Sequence, residues 1–403
     1  MPRGLGRGAL RCGIPLAGSG CDDRQVSALV SPARSRIVVA PDSFKGSIDA
    51  TSAARALADG WRSVRPDDEL LLRPMADGGE GTLDAFAAAI PGSRRVPVTV
   101  TGPTGRRIGS HWLMLPGDHP RTAVVELACT SGMELVEADE AVDPLATHTL
   151  GFGEAIRAAL AAGATRLLLG IGGSVSSDGG AGVLTALGAI VRDADGRQVP
   201  SGAAGLAQAA SFDAGGLLPP PVDGILVLSD VRAPLLGPDG AARVFGPQKG
   251  ADPDQVDRIE TALTRWARVI GAAPGTAGAG AAGGCGFGLL AWGAQLASGA
   301  DAVAETIGLD AALAGAERVI TGEGSYDSQS LLGKAPGVVR AYAEARGVPV
   351  SVVAGRFGVA SGPDDLSLAE VAGCTSAALS DPRRWLREAG SRLAHAHTPR
   401  DSV

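Results

Sequence analysis

From residue 36 onward, short apolar runs repeatedly break into polar, glycine-bearing loops. They are RIVVAPDSFKGS (36–47), LLLRPMADGGEGT (70–82), RLLLGIGGSVSSDGG (166–180), ILVLSDVRAP (225–234), RVITGEGSYDSQS (318–330) and VPVSVVAGRFG (348–358). Continuous apolar runs of this length suit strands of a parallel sheet buried on both faces. Helical spacing follows several of them. Ala54, Leu57, Trp61 and Val64 recur behind a Ser47 cap, and Val338, Tyr342 and Ala345 recur up to Gly347. Ile156 and Leu160 lead in the same way to a terminating Gly163.

The middle of the chain has another rhythm. VPVTV (96–100), SHWLML (110–115) and TAVVELA (122–128) follow too closely for crossover helices, so they predict antiparallel strands joined by turns. The expected fold class is α/β with two α/β domains. A flavodoxin/Rossmann-like parallel-sheet domain (36–95 and 298–395) carries an inserted mixed α/β domain (96–297). The run AGAGAAGGCGFG (277–288) lies near the return point and reads as a hinge, a linker or a binding loop. Residues 1–35 hold Arg, Gly and Ser without periodicity. They read as a disordered tail or a start assigned too early, with Asp22 and Asp23 arguing against a transit peptide.

Composition narrows the function. Net charge is −7 and aromatics are 3% of the chain, which disfavours nucleic acid as the partner. No apolar run reaches the ~18 residues of a membrane span. The five cysteines, Cys12, Cys21, Cys129, Cys285 and Cys374, form no CxxC pair. That spacing predicts a reducing, cytoplasmic setting, with the last three as small core residues.

Open α/β sheets bind ligands outside the carboxyl ends of their strands, and there this sequence gathers its acids. Asp42, Asp77, Glu80, Asp178, Asp230, Glu323 and Asp327 all follow apolar runs. A single acid in such a place is ordinarily a cap or turn residue, but not plausibly all of them are. Gly172, Gly173 and Ser174 precede Asp178 and suggest an anion cradle of backbone N–H groups; Gly78 and Gly79 stand similarly beside Asp77. The chain has only three lysines, Lys45, Lys249 and Lys334, each in a Gly/Pro loop. Lysines as point charges for phosphate and carboxylates for Mg²⁺ are the parts phosphoryl transfer needs. No GxxxxGK[ST] is present and GIGGSV does not complete GxGxxG.

IVVAPDSFKGS, PMADGGEGT, GIGGSVSSDGGAG, PLLGPDGAARVFGPQKGA, PGTAGAGAAGG and TGEGSYDSQSLLGKAP resemble, in order and spacing, the bacterial glycerate kinase family. The resemblance covers about residues 36 to 380 and implies transfer of phosphate from ATP, with Mg²⁺, to D-glycerate, giving 2-phosphoglycerate or 3-phosphoglycerate. Asp178, Lys45 and Asp327 are the expected catalytic residues, Asp178 as the base. Asp42, Ser43, Asp77, Gly78, Gly79, Glu80, Gly172, Gly173, Ser174, Asp230, Lys249, Glu323 and Lys334 are expected to bind substrate or phosphate. Asp77, Glu80 and Asp230 are the metal candidates. Expected partners are the small acid and ATP, without nucleic acid or membrane, and a homodimer is compatible with the sequence. The chain departs from the family at Ser177, Ala233, Ser325 and Ser328. A nicotinamide-dependent hydroxy-acid dehydrogenase and a non-catalytic small-acid-binding protein are the competing readings.

Overall fold

The computed structural model describes residues 34–136, 142–328, 330 and 333–398. Two sheets organise them. The first is fully parallel, in the order β13-β12-β11-β1-β2: β1 (Arg36–Val39), β2 (Glu69–Leu72), β11 (Arg318–Tyr326), β12 (Val350–Phe357) and β13 (Leu366–Ser367). The second has the order β10-β9-β6-β5-β4-β3: β3 (Arg94–Thr101), β4 (Arg107–Met114), β5 (Thr122–Glu126), β6 (Arg166–Gly170), β9 (Ile225–Leu228) and β10 (Gln295–Ala297). It is parallel from β5 to β10 and antiparallel across β3, β4 and β5, as the close spacing of those runs predicts. A small ribbon pairs β7 (Ile190–Arg192) with β8 (Ser211–Asp213). The chain makes two strands of the first sheet, then all of the second, then returns to finish the first. This is the expected mixed domain inserted in a parallel one.

Period-two alternation puts successive residues of β1 into different cores. Ile37 and Val39 pack with Trp61, Leu386 and Leu393 on the outer face. Val38 faces inward, in one cluster with Phe86 and Val303 and with Leu113, Val124, Leu168 and Leu228 of the second sheet. The helices Thr82–Ala89 and Gly299–Thr306 thus form a layer shared by both sheets. The helix after β1 spans Ala50–Arg62 and is capped by Asp49, which accepts from the Ser52 N–H; Ser47 is not its cap. Gly163 and Gly347, both at positive φ, end their helices where the spacing predicts.

The expected tail has to be shortened. Ser35 is fully buried: its N–H reaches Asp68, and its hydroxyl contacts Glu317 and His397. His397 lies buried beside the Trp61 ring, so the first domain also runs past the expected end at 395. The earlier part of the tail lies outside the described residues. Cys285 is buried as expected and Cys129 is half-buried, but Cys374 is exposed at the N-cap of the short helix Thr375–Ser380. The 277–288 run is neither linker nor hinge. A Cβ on Gly283 would meet the Ser176 carbonyl at 2.0 Å and one on Gly280 the Pro234 carbonyl at 2.2 Å, so these turns are wedged into the inserted domain.

Asp68 is the polar anchor of the outer core. It accepts from Trp61 Nε1 at 2.9 Å, Arg65 Nε at 2.6 Å and the Ser35 N–H at 3.1 Å. Burial works against its charge, but the Arg65 and Trp61 hydrogen bonds outweigh it and hold the carboxyl below its ordinary value. A lowered native pKa gives stability that is complete above the unfolded value and is lost as pH falls through the native one. Asp68→Ala is expected to cost about 1.5–3 kcal/mol at pH 7, the scale of hydrogen bonds to a charged group. Urea unfolding at pH 7 and in acid checks it, and the gap between wild type and variant should narrow in acid.

Candidate active site

The order of the first sheet reverses between β1 and β11, and their carboxyl ends open into a cavity of about 520 Å³. Such a switch point is where open α/β sheets bind ligands. Asp42, Ser43 and Lys45 come from the turn after β1, Glu323 from within β11, Asp327 from just beyond it, and Asp77 from the loop after β2. Lys334 occupies the position before the helix Ala335–Ala345, with extended backbone, and lines the same cavity.

The acids are pressed together. Burial pushes the Asp42 carboxyl up to about 8, reinforced by Asp77 and Glu323, while the Ser43 N–H at 2.6 Å and Lys334 oppose the rise. Burial also raises Glu323, with Ser330 and Lys334 pulling the other way. Glu323 is 8% exposed and its Oε1 has no hydrogen-bond partner. A buried carboxylate oxygen without a donor is costly unless a ligand supplies one.

Loops of both domains meet at Asp77. The Gly172 N–H donates to the Gly78 carbonyl at 2.9 Å, and a Cβ on Gly172 would lie 2.5 Å from Gly79 Cα. A Cβ on Gly299 would lie 1.8 Å from the Asp77 carbonyl. Asp77 itself is exposed to the cleft, and its Oδ1 accepts from the Gly79 N–H at 3.0 Å. Asp230 accepts from the Gly299 N–H at 2.9 Å; burial, with Asp77 and Asp301 adding to it, raises its carboxyl. Glu80 points elsewhere, over the Gly173 turn beside Glu134, where burial and that neighbour raise it and the Lys45 charge opposes.

Two expectations are corrected by this geometry and a third is narrowed. Asp178 is fully buried, and its carboxylate accepts from the N–H groups of Thr149, Gly180 and Gly182 and from the Thr149 hydroxyl. With those donors in place and no solvent access, it anchors the inserted domain and cannot act as the base. Lys249 is buried too: its ammonium donates to the Ser176 carbonyl, and desolvation lowers it to about 8 despite the Asp178 charge. It does not reach the cavity of Lys45 and Lys334. The Gly172–Ser174 cradle already has two of its groups engaged. The Gly172 N–H is used by Gly78, and the Ser174 hydroxyl bonds with that of Ser176.

The sequence also left residues unmarked. Arg356 follows the glycine at the end of β12, lines the cavity and donates to the Ser325 hydroxyl at 3.2 Å. An arginine between Gly355 and Phe357 after an apolar run was the available signal. Glu126, at the end of β5, accepts from the Gly81 and Leu83 N–H groups, so it caps the helix Thr82–Ala89 in the layer between the sheets. Burial pushes its carboxyl up to about 7 against those hydrogen bonds.

The model of the glycerate kinase family matches residues 37–398, nearly all of what the structure describes. The chain belongs to the glycerate kinase family. It is similar to the glycerate 2-kinase of Escherichia coli K12, with 43% identity over 79% of this chain and 85% of that protein. It is 44% identical to the glycerate kinase of Bacillus subtilis 168, at the same coverage of each chain. A solved structure assigned as glycerate kinase 2 of Salmonella typhimurium LT2 aligns with a TM-score of 0.77 and 41% identity, covering 90% of this chain and 98% of that one. The chain is therefore a kinase, which decides against the dehydrogenase and the non-catalytic binding protein. Among the described residues, no helix is long and apolar enough to cross a membrane.

Of the departures from the family pattern, Ser325 lines the cavity and Ser177 is buried, whereas Ser328 is exposed. Ala233 contributes its carbonyl, which accepts from the Gly280 N–H at 2.9 Å. The corrected role of Asp178 has a measurable consequence. Asp178→Asn turns an amide toward donors that need an acceptor and leaves Lys249 without its buried counter-charge. The expected loss is about 1–3 kcal/mol of stability, the scale of leaving buried hydrogen-bonding groups unsatisfied. Thermal melts read it, and an Asp178→Asn protein that melts like wild type would return Asp178 to the catalytic candidates.

Proposed function

We propose that the protein transfers the γ-phosphoryl group of ATP to the 2-hydroxyl of D-glycerate. The observation that carries this reading is a cavity lined together by Glu323, whose buried Oε1 has no hydrogen-bond partner, and by Lys45, Lys334 and Arg356. A carboxylate lacking a donor suits a substrate hydroxyl, and the cations suit the carboxylate and phosphates of the reactants. The name of the Escherichia coli relative supports the 2-hydroxyl.

The acids divide the labour. Asp42, raised to about 8, carries its proton at pH 7 and can donate a hydrogen bond to bound acid. Glu323 then takes the proton of the attacking hydroxyl as the new O–P bond forms and ADP leaves. Lys45 and Lys334 hold the charge that collects on the transferring group. Asp327 is a further acid of this wall rather than the base.

Among the described residues, no group of three His, Cys, Asp or Glu side chains is arranged to cage a metal. Mg²⁺ in phosphoryl transfer needs only one or two carboxylates beside phosphate oxygens. Asp77 fits that role, being open to the cleft with Asp42 and Asp230 in electrostatic reach. Glu80, turned toward Glu134, does not. Bound there, Mg²⁺ would screen the phosphate charge.

Incubation with ATP, Mg²⁺ and D-glycerate, followed by ADP release, tests the reaction. Enolase without a mutase then forms phosphoenolpyruvate only if the product is 2-phosphoglycerate. In Glu323→Gln, turnover should fall about 10²–10⁴-fold, the contribution of a positioned base. Its melting temperature should change little, since the amide keeps the shape and one of the two carboxylate oxygens has no donor to lose. Wild-type turnover in Glu323→Gln would sink this assignment and move the base to Asp42 or Asp327.

A further inference from the structure

The reading of the cleft as a phosphoryl-transfer site leaves half of its wall unused. A cavity of about 520 Å³ is far larger than a three-carbon acid fills, and its lining is divided. One side carries the acids and cations that come from the ends of β1 and β11, the Asp77 loop and Lys334. The other is built by the C-terminal elements: Leu368 starts the helix Leu368–Ala372, Ala378 and Leu379 lie on Thr375–Ser380, and Pro382 opens Pro382–Ala396. These four residues bring no charge. Leu379 is 60% exposed, unusual for a leucine beside a packed helix pair, and it lines the cavity.

A small hydroxy acid has no chemistry for an apolar wall, and neither has a phosphate chain. The nucleoside end of the donor has: a broad, largely apolar ring with a few polar edges. Polar groups of the kind those edges need are at hand in the Thr375 hydroxyl and the backbone at Gly324 and Gly355. We infer that the nucleoside of the phosphoryl donor lies against Leu368, Ala378, Leu379 and Pro382, with its phosphates directed to Lys45 and Lys334. The first domain, not the inserted one, then holds the nucleotide. A neighbouring cavity of about 370 Å³ near β9 and β10 is a poorer host. Arg232 is the single cation of its lining, whereas the larger cavity offers Lys45, Lys334 and Arg356 to a polyphosphate.

The test uses binding, not turnover, and the full chain. Wild-type protein is titrated calorimetrically with ADP and with inorganic triphosphate, which lacks a nucleoside. Leu379→Asn, at a surface position, should weaken ADP about 10-fold, the scale of one lost apolar contact in a pocket, and leave triphosphate unchanged. Independently of any variant, 8-azido-ATP should photolabel the wild-type tryptic peptide Phe357–Arg383. Equal ADP affinity in Leu379→Asn, label confined to residues 229–232 or 296–301, or no ADP binding by wild type each overturns the inference. A wild type that binds ADP at this wall yet forms none from ATP and D-glycerate leaves the nucleotide site standing and removes only the acceptor reading.

Discussion

Everything in the cleft depends on how closely two glycine turns approach. The Gly78 carbonyl takes the Gly172 N–H, and neither Gly172 nor Gly299 has room for a Cβ against the Asp77–Gly79 backbone. A methyl group at either place would push the loop away, and side-chain contacts can absorb little of that. The contact joins the end of β6 to the loop after β2 and fixes where Asp77 stands relative to Asp42 and Glu323. The helices in the layer between the sheets support the same loop from behind, with Glu126 holding the first turn of one of them.

A second organising fact is the separation of the charged groups into two sets. Asp178 and Lys249 are both buried in the inserted domain, where hydrogen bonds to backbone groups satisfy them and no ligand is needed. Asp42 and Glu323 belong to the switch-point cavity, where burial raises both and one oxygen has no protein donor. The first set is finished without substrate. The second is completed only by one.

That division explains what could be read from the chain. Runs such as RIVVA and RLLLG announced parallel strands because burial on both faces removes polar alternation. The close succession of VPVTV, SHWLML and TAVVELA announced the antiparallel edge for the equally local reason that no crossover helix fits. Acids after strands were visible too, but their partners were not. The donors to Asp178 include Thr149, which is distant in sequence and arrives only when its helix packs against the helix Ala181–Ala186. Lys249 follows a Gly-Pro turn, a context that suggests solvent, yet the 3-10 turn Pro247–Lys249 directs its amine into the protein. Leu379 and Arg356 carried no motif, and their place in the cavity depends on how the last helices lie over β12.

The strand order of the first sheet bears on synthesis of the chain. β1 leaves the ribosome early, but its neighbour β11 is about 280 residues away, and the Thr321 hydroxyl that bonds the Ala40 carbonyl is 281 residues further on. All strands of the second sheet are translated in between, so that domain has what it needs to fold while β1 and β2 still lack a central partner. Domains generally fold as units during translation. Until β11 is made, β1 and β2 have only the helices Ala50–Arg62 and Thr82–Ala89 to pack against. The first sheet closes only after the strands of the second are made, and with it the cavity, since Glu323 and Lys334 follow them in the chain.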